Sequence, residues 1–197
     1  MSQPVPDLEV LRAAILSGDP SRAMPALAGL REVAPAQAVP LLLLGLQQST
    51  FMIRSLACAG LGQKRTEAGW DALVEALQGD DDANVRAEAA NALASFGVER
   101  AWPLLSTAFA ANTQWLVRCS ILSALAEQPT MQAAWLLDLA QQAIACGDGT
   151  VRAGGAEILG RLVREGGEGA SQARALLGGL QGDPDHRVVA VALNGLA

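Results

Sequence analysis

The sequence predicts an all-α fold, a right-handed α-solenoid of about six helical pairs. Three observations carry that expectation. The 197 residues are 51% hydrophobic yet only 4% aromatic, with no tyrosine. Such a core must be built from Ala, Leu and Val, which suits close-packed helices better than a β-sandwich. One helical frame recurs six times, closing on Leu30, Leu61, Leu93, Leu125, Leu159 and Leu196 at spacings of 31, 32, 32, 34 and 37 residues. Upstream of each copy runs a second amphipathic segment, so the unit is helix, turn, helix. One such pair cannot cover its own apolar face, and neighbours must stack.

The clearest copy is Asp82-Ala83-Asn84-Val85-Arg86, followed by Ala89, Ala90, Ala92 and Leu93. Apolar residues three, four and seven positions after the arginine share one helix face. The frame returns at Ile53-Arg54 with Ala57, Cys58 and Leu61, at Val117-Arg118 with Ile121, Leu122 and Leu125, and at Val151-Arg152 with Gly155, Ala156 and Leu159. Weaker copies hold Ala23 and Val189 in the arginine slot. The preceding runs are Leu8 to Leu16, Val39 to Leu46, Trp70 to Leu77, Trp102 to Phe109, Trp135 to Ile144 and Ala173 to Leu180. Asp19-Pro20 and Asp183-Pro184 read as an N-cap followed by proline at the first helical position. Pro40 and Pro103 are placed in first turns, where a missing N–H costs nothing. Gly79-Asp80 and Gly147-Asp148 are turn signals. The expected organisation is one domain over 1–197, with repeats near 7–33, 36–64, 68–98, 100–128, 131–165 and 168–197.

Composition narrows the function. A net charge of −6, with thirteen scattered arginines and one lysine, argues against nucleic acid, which needs a basic stripe. Three cysteines, Cys58, Cys119 and Cys146, without paired spacing fit a reducing cytoplasm. The N-terminal residues, including Pro4 and Pro6, show no signal-peptide pattern. The longest apolar stretch, Ala38 to Leu46, is too short to span a membrane. A soluble cytoplasmic protein is expected.

A helix pair carrying Asp-x-x-Val-Arg-x-x-Ala-Ala-x-Ala-Leu resembles the HEAT repeats, in particular the phycobilisome-lyase-like subclass of short repeats. The resemblance covers nearly the whole chain and implies a HEAT-like superhelix. It also implies that Arg54, Arg86, Arg118 and Arg152 hold the fold, each meeting an acid from a neighbouring turn. Acids lie just upstream of Arg86 (Asp80, Asp81, Asp82) and of Arg152 (Asp148), but not of Arg54 or Arg118, so the ladder is expected to be incomplete. Relatives of this kind include phycobilin lyase subunits, antenna-disassembly factors and an adaptor for iron–sulfur carriers. Deoxyhypusine hydroxylases share the repeat but need repeated His-Glu pairs for di-iron, and His186 stands alone.

No catalytic constellation is present: no G-x-x-x-x-G-K-[ST] loop and no G-x-S-x-G elbow. His186 is read as a surface-turn residue, and no metal site is assigned. Asp80-Asp81-Asp82 caps a helix N-terminus. Cys58 is expected in the core. Cys119, displaced to the helix edge, is the candidate ligand contact. Trp70, Trp102 and Trp135 occupy one slot in three consecutive repeats, either as wedges between repeats or as an aromatic row for a partner. Trp115, in the turn before Arg118 and beside Phe51 of the preceding turn, is a candidate hot spot. Gly166, Gly167 and Gly169 form the one loose connection. The final pair lacks a polar cap, so a homo- or heterodimer through it is expected.

The function expected is a non-enzymatic scaffold whose concave helices bind a partner protein through Leu56, Glu88, Asn91, Ser120, Ser123, Glu157 and Trp115. No cofactor is required. The alternatives are a phycobilin lyase-type factor, with bilin as its ligand and Cys119 and the tryptophans as contacts, and an iron–sulfur carrier adaptor.

Overall fold

The computed structural model describes residues 7–197; Pro4, Pro6 and the rest of the N-terminal segment lie outside the described residues. The first helices of the pairs are α1 (Leu8–Leu16), α3 (Pro35–Leu46), α5 (Glu67–Gly79), α7 (Val98–Ala111), α9 (Ala133–Ile144) and α11 (Ala170–Gly179). The second helices are α2 (Pro20–Gly29), α4 (Phe51–Lys64), α6 (Ala83–Ala94), α8 (Trp115–Ala126), α10 (Gly149–Glu165) and α12 (His186–Leu196). Short 3₁₀ turns at Leu30–Glu32 and Leu180–Gly182 extend α2 and α11. No strand occurs among the described residues. The chain is an all-α solenoid of stacked helical pairs.

The helices form two compact units that divide between Pro103 and Leu104, inside α7. In the first unit α2, α4 and α6 pack in succession, as do α1, α3 and α5, and each pair closes on itself. In the second unit α8, α10 and α12 pack in succession, with α9 and α11 against α10.

The repeat's valine slot explains this order. Ile53, Val85, Val117, Val151 and Val188 stand one residue before the arginine slot, and all five are fully buried. Each contributes about 1.5–3 kcal/mol by leaving water. Among the described residues no charged or polar residue is fully buried. Close approach relies on missing side chains. A Cβ on Gly62 of α4 would stand 2.9 Å from the Ala92 Cα of α6, and one on Gly160 of α10 would stand 3.1 Å from the Gly195 Cα of α12. These are equivalent positions in the two units.

Capping follows the aspartates. Asp7, Asp19, Asp82, Asp148 and Asp185 each accept a first-turn N–H, and Thr66 does so for α5. Three sequence expectations are corrected here. Pro40 and Pro103 lie inside α3 and α7, because these helices begin five residues earlier, at Pro35 and Val98. Both prolines are exposed, as are Ala36 and Glu99, so the carbonyls that lose an intrahelical donor face water. Asp183-Pro184 is not the cap of α12; Asp185 is, and the Asp183 carboxylate is used elsewhere. His186 is therefore the first residue of a helix rather than part of a turn, and it is exposed.

Candidate functional site

The repeat arginines fix the geometry of the second-helix face. Arg54 donates from Nε and Nη2 to the two carboxylate oxygens of Asp80, at 2.7 and 2.9 Å. Its Nη1 serves the carbonyls of Gln48 and Ser49 in its own loop. Arg152 repeats the arrangement in the other unit: Nε and Nη2 meet Asp183 at 2.8 and 2.9 Å, while Nη1 serves Cys146 and Gly147. The acid thus comes from the loop of the following repeat. This corrects the upstream assignment, under which Arg54 had no acid and Arg152 had Asp148. Asp148 is instead spent on capping α10. The upstream acids of Arg86 are used differently too: it donates to the Asp80 backbone carbonyl.

Before α6, α8, α10 and α12 the acid slot stands two residues ahead of the N-cap and reads Asp80, Asn112, Cys146 and Asp183. Three of these also accept the backbone N–H two residues on, from Asp82, Gln114 and Asp185. Arg118 donates to the Phe109 and Ala110 carbonyls and meets the Cys146 Sγ at 3.0 Å. A thiol therefore occupies a carboxylate's place. Burial pushes the Asp80 carboxyl up, but hydrogen bonds from Arg54 and the Asp82 N–H outweigh it and hold it below the ordinary range. The Arg152 hydrogen bonds lower Asp183 likewise.

Counting from the arginine slot, Asn91, Ser123 and Glu157 share the position five residues on, and all three are exposed. Leu56, Glu88 and Ser120 share the position two residues on and are half-buried. Burial pushes the Glu88 carboxyl up against a hydrogen bond from Asn91. Leu56 borders a recess of about 170 Å³ with Leu27, Leu42 and Gly60 in the first unit. Cys58 is fully buried, and burial pushes its thiol to about 12.

In the second unit the face carries a groove of about 540 Å³ between α8, α10 and α12. Cys119, Leu122 and Ser123 form one wall. Gly154, Glu157 and Ile158 form the floor, and Arg187 and Val191 close the far side. Arg161 and Arg164 stand at one end. The groove brings together Cys119, Ser123 and Glu157, but leaves Leu56, Glu88, Asn91, Ser120 and Trp115 outside its lining. The two arginines at its end escaped notice in the repeat frame. Their one sequence signal was the long fifth interval, Leu159 to Leu196, which holds the extra turn of α10. Burial, with Asp148, Cys146 and Glu157 nearby, pushes the Cys119 thiol up, so it is a poor nucleophile.

Trp70 meets the Phe96 ring edge-on at 5.3 Å, and the Arg100 guanidinium lies 4.0 Å above it while pairing with Glu67. Trp102 and Trp135 are half-buried and engaged. Trp115 and Phe51 are exposed by 49% and 39%. They open α8 and α4, which are two repeats apart in the chain rather than consecutive. Gly166, Gly167 and Gly169 all have positive φ, which glycine alone adopts without strain.

Comparisons with known proteins agree with this architecture. Residues 39–126 match the family described as HEAT repeats. This stretch is built of HEAT repeats. The whole fold is similar to a chain in the complex of CpcE and CpcF of phycocyanin lyase from Nostoc sp. PCC7120. The TM-score is 0.60 at 20% identity, over 99% of this chain and 77% of that one, a likeness of fold. No curated protein matches the sequence. Among the described residues no helix is long and apolar enough to cross a membrane, and no cluster of three His, Cys, Asp or Glu is placed to hold a metal ion.

Proposed function

We propose that this HEAT-repeat chain is a non-enzymatic cytoplasmic scaffold that binds a partner protein on the face built by its second helices. The groove between α8, α10 and α12 carries the reading, because it opens on that face beside the exposed Ser123 and Glu157. The fold likeness to a chain from a two-protein complex supports it. The test is photo-crosslinking from benzoylphenylalanine placed at Ser123, at Asn91 and, as a control, at the exposed Asp138 of α9. One adduct recurring from the second-helix positions and missing from Asp138 is expected. Adducts only from Asp138 sink the reading.

A second reading, a lyase-type factor that handles a bilin, has the position of Cys119 in the groove wall in its favour. It predicts visible absorbance that follows the protein after coexpression with a bilin-producing pathway and is lost in Cys119→Ala. The raised Cys119 pKa counts against covalent use of that thiol.

A further inference from the structure

The groove between α8, α10 and α12 is richer in arginine than in carboxylate. The protein is acidic, and residues 104–197 carry eight carboxylates against six arginines. Three of those arginines, Arg161, Arg164 and Arg187, line the groove, where Glu157 is the sole carboxylate.

The three are differently committed. Arg161 pairs with Glu165 and donates to the Ala126 carbonyl across the helix interface. Ser95 does the same for the Gly62 carbonyl at the equivalent step of the first unit, so Arg161 has a structural task. Arg187 pairs with Asp185 and reaches Thr150 at 3.4 Å. Arg164 is exposed and engages no partner among the described residues. A guanidinium with five unused N–H groups in a groove also lined by the part-exposed Ala126, Ala153 and Val191 is a fork for a carboxylate next to an apolar socket.

The groove's length decides what kind of carboxylate. It follows α10 from Thr150 to Arg164, which at 1.5 Å per residue is about 21 Å. That is about four turns of helix or six residues of extended chain, too long for one small anion.

We infer that this groove docks an acidic, amphipathic peptide segment of the partner protein, its apolar side chains on Ala126, Ala153 and Val191 and a carboxylate on Arg164. The inference rests on the scaffold reading and adds the partner's chemistry.

The test is selection from a displayed library of random 14-residue peptides on the whole protein, followed by fluorescence anisotropy with the selected peptides. The expected binders interleave Asp or Glu with Leu, Ile or Phe. Their affinity falls at least tenfold in Arg164→Glu, recovers in Arg164→Lys, and weakens as salt is raised. Circular dichroism of Arg164→Glu should match wild type, since that side chain has no internal partner. Binders that are neutral or basic, or that bind Arg164→Glu as tightly as wild type, overturn the inference. So does the absence of any binder. Binders blocked by Asn91→Arg and indifferent to Arg164 would refute the groove while leaving the second-helix face standing.

Discussion

Cys146→Asp should stabilise the protein. At the equivalent rungs, Asp80 and Asp183 take two charge-assisted hydrogen bonds from Arg54 and Arg152 and a third from a backbone N–H. At the Cys146 rung, Arg118 instead meets a sulfur at 3.0 Å. The occupied rungs are shielded but not sealed, with side-chain exposures of 16% and 12% for Arg54 and Asp80, and 13% and 7% for Arg152 and Asp183. A charge-assisted pair there is worth about 1–2 kcal/mol once solvent screening and the lost Arg118–thiol contact are deducted. For a chain of this size that is a rise in Tm of about 2–8 °C. The sign with pH is fixed by the carboxylate. Its pKa is lowered on folding, so the gain is complete above the unfolded value near 4 and disappears as pH falls through the lower folded value. The assay is thermal unfolding at pH 7 and pH 3 of wild type, Cys146→Asp, Cys146→Ser and each in an Arg118→Ala background. Cys146→Ser should give no rise. An unchanged or lower Tm in Cys146→Asp, or a rise that survives in Arg118→Ala, would refute the reasoning.

Other outcomes follow from the same packing. Gly160→Leu should destabilise by about 1–3 kcal/mol in urea unfolding, because its side chain meets the Gly195 backbone rather than a flexible neighbour; Gly178→Ala, where a Cβ meets nothing, is the neutral control. Ser55→Ala should raise stability by about 1 kcal/mol, since the Ser55 hydroxyl is buried without a partner and the slot is alanine at Ala87 and Ala153. Asp183→Asn should lower stability at neutral pH, with an effect that starts to shrink below the unfolded value near 4 and vanishes as pH falls through the lowered folded value; an effect undiminished at pH 3 would remove the ion pair as its cause. In native protein at pH 8, Cys58 should resist a thiol reagent until unfolding, and labelling as fast as in urea would contradict its burial.

Much of the architecture was legible because a buried slot must be filled the same way in every copy. The valine or isoleucine before each of Arg54, Arg86, Arg118 and Arg152 and the leucine seven residues after it recur with the helical period, and only a stack of like units demands that. The face was legible by phase: Asn91, Ser123 and Glu157 share one register and all are exposed. The groove was not, because Arg161 and Arg164 follow the closing Leu159, and Arg164 stands on a turn by which α10 outlasts the other second helices. The prolines misled for a related reason. Pro40 and Pro103 mark helix starts in local sequence terms, yet water on the exposed side of α3 and α7 tolerates the carbonyls they leave unpaired.

By itself, then, the sequence determined the helical repeat, its pairing, its core and its outward-facing rows, because these depend on periodicity within about thirty residues. Only the tertiary structure decided which acid each arginine meets, that Cys146 stands where a carboxylate belongs, and that three arginines gather on one groove. Those contacts join residues of different repeats, from 26 to 37 positions apart in the chain. Their distance is set by how the repeats stack, and no local pattern records it.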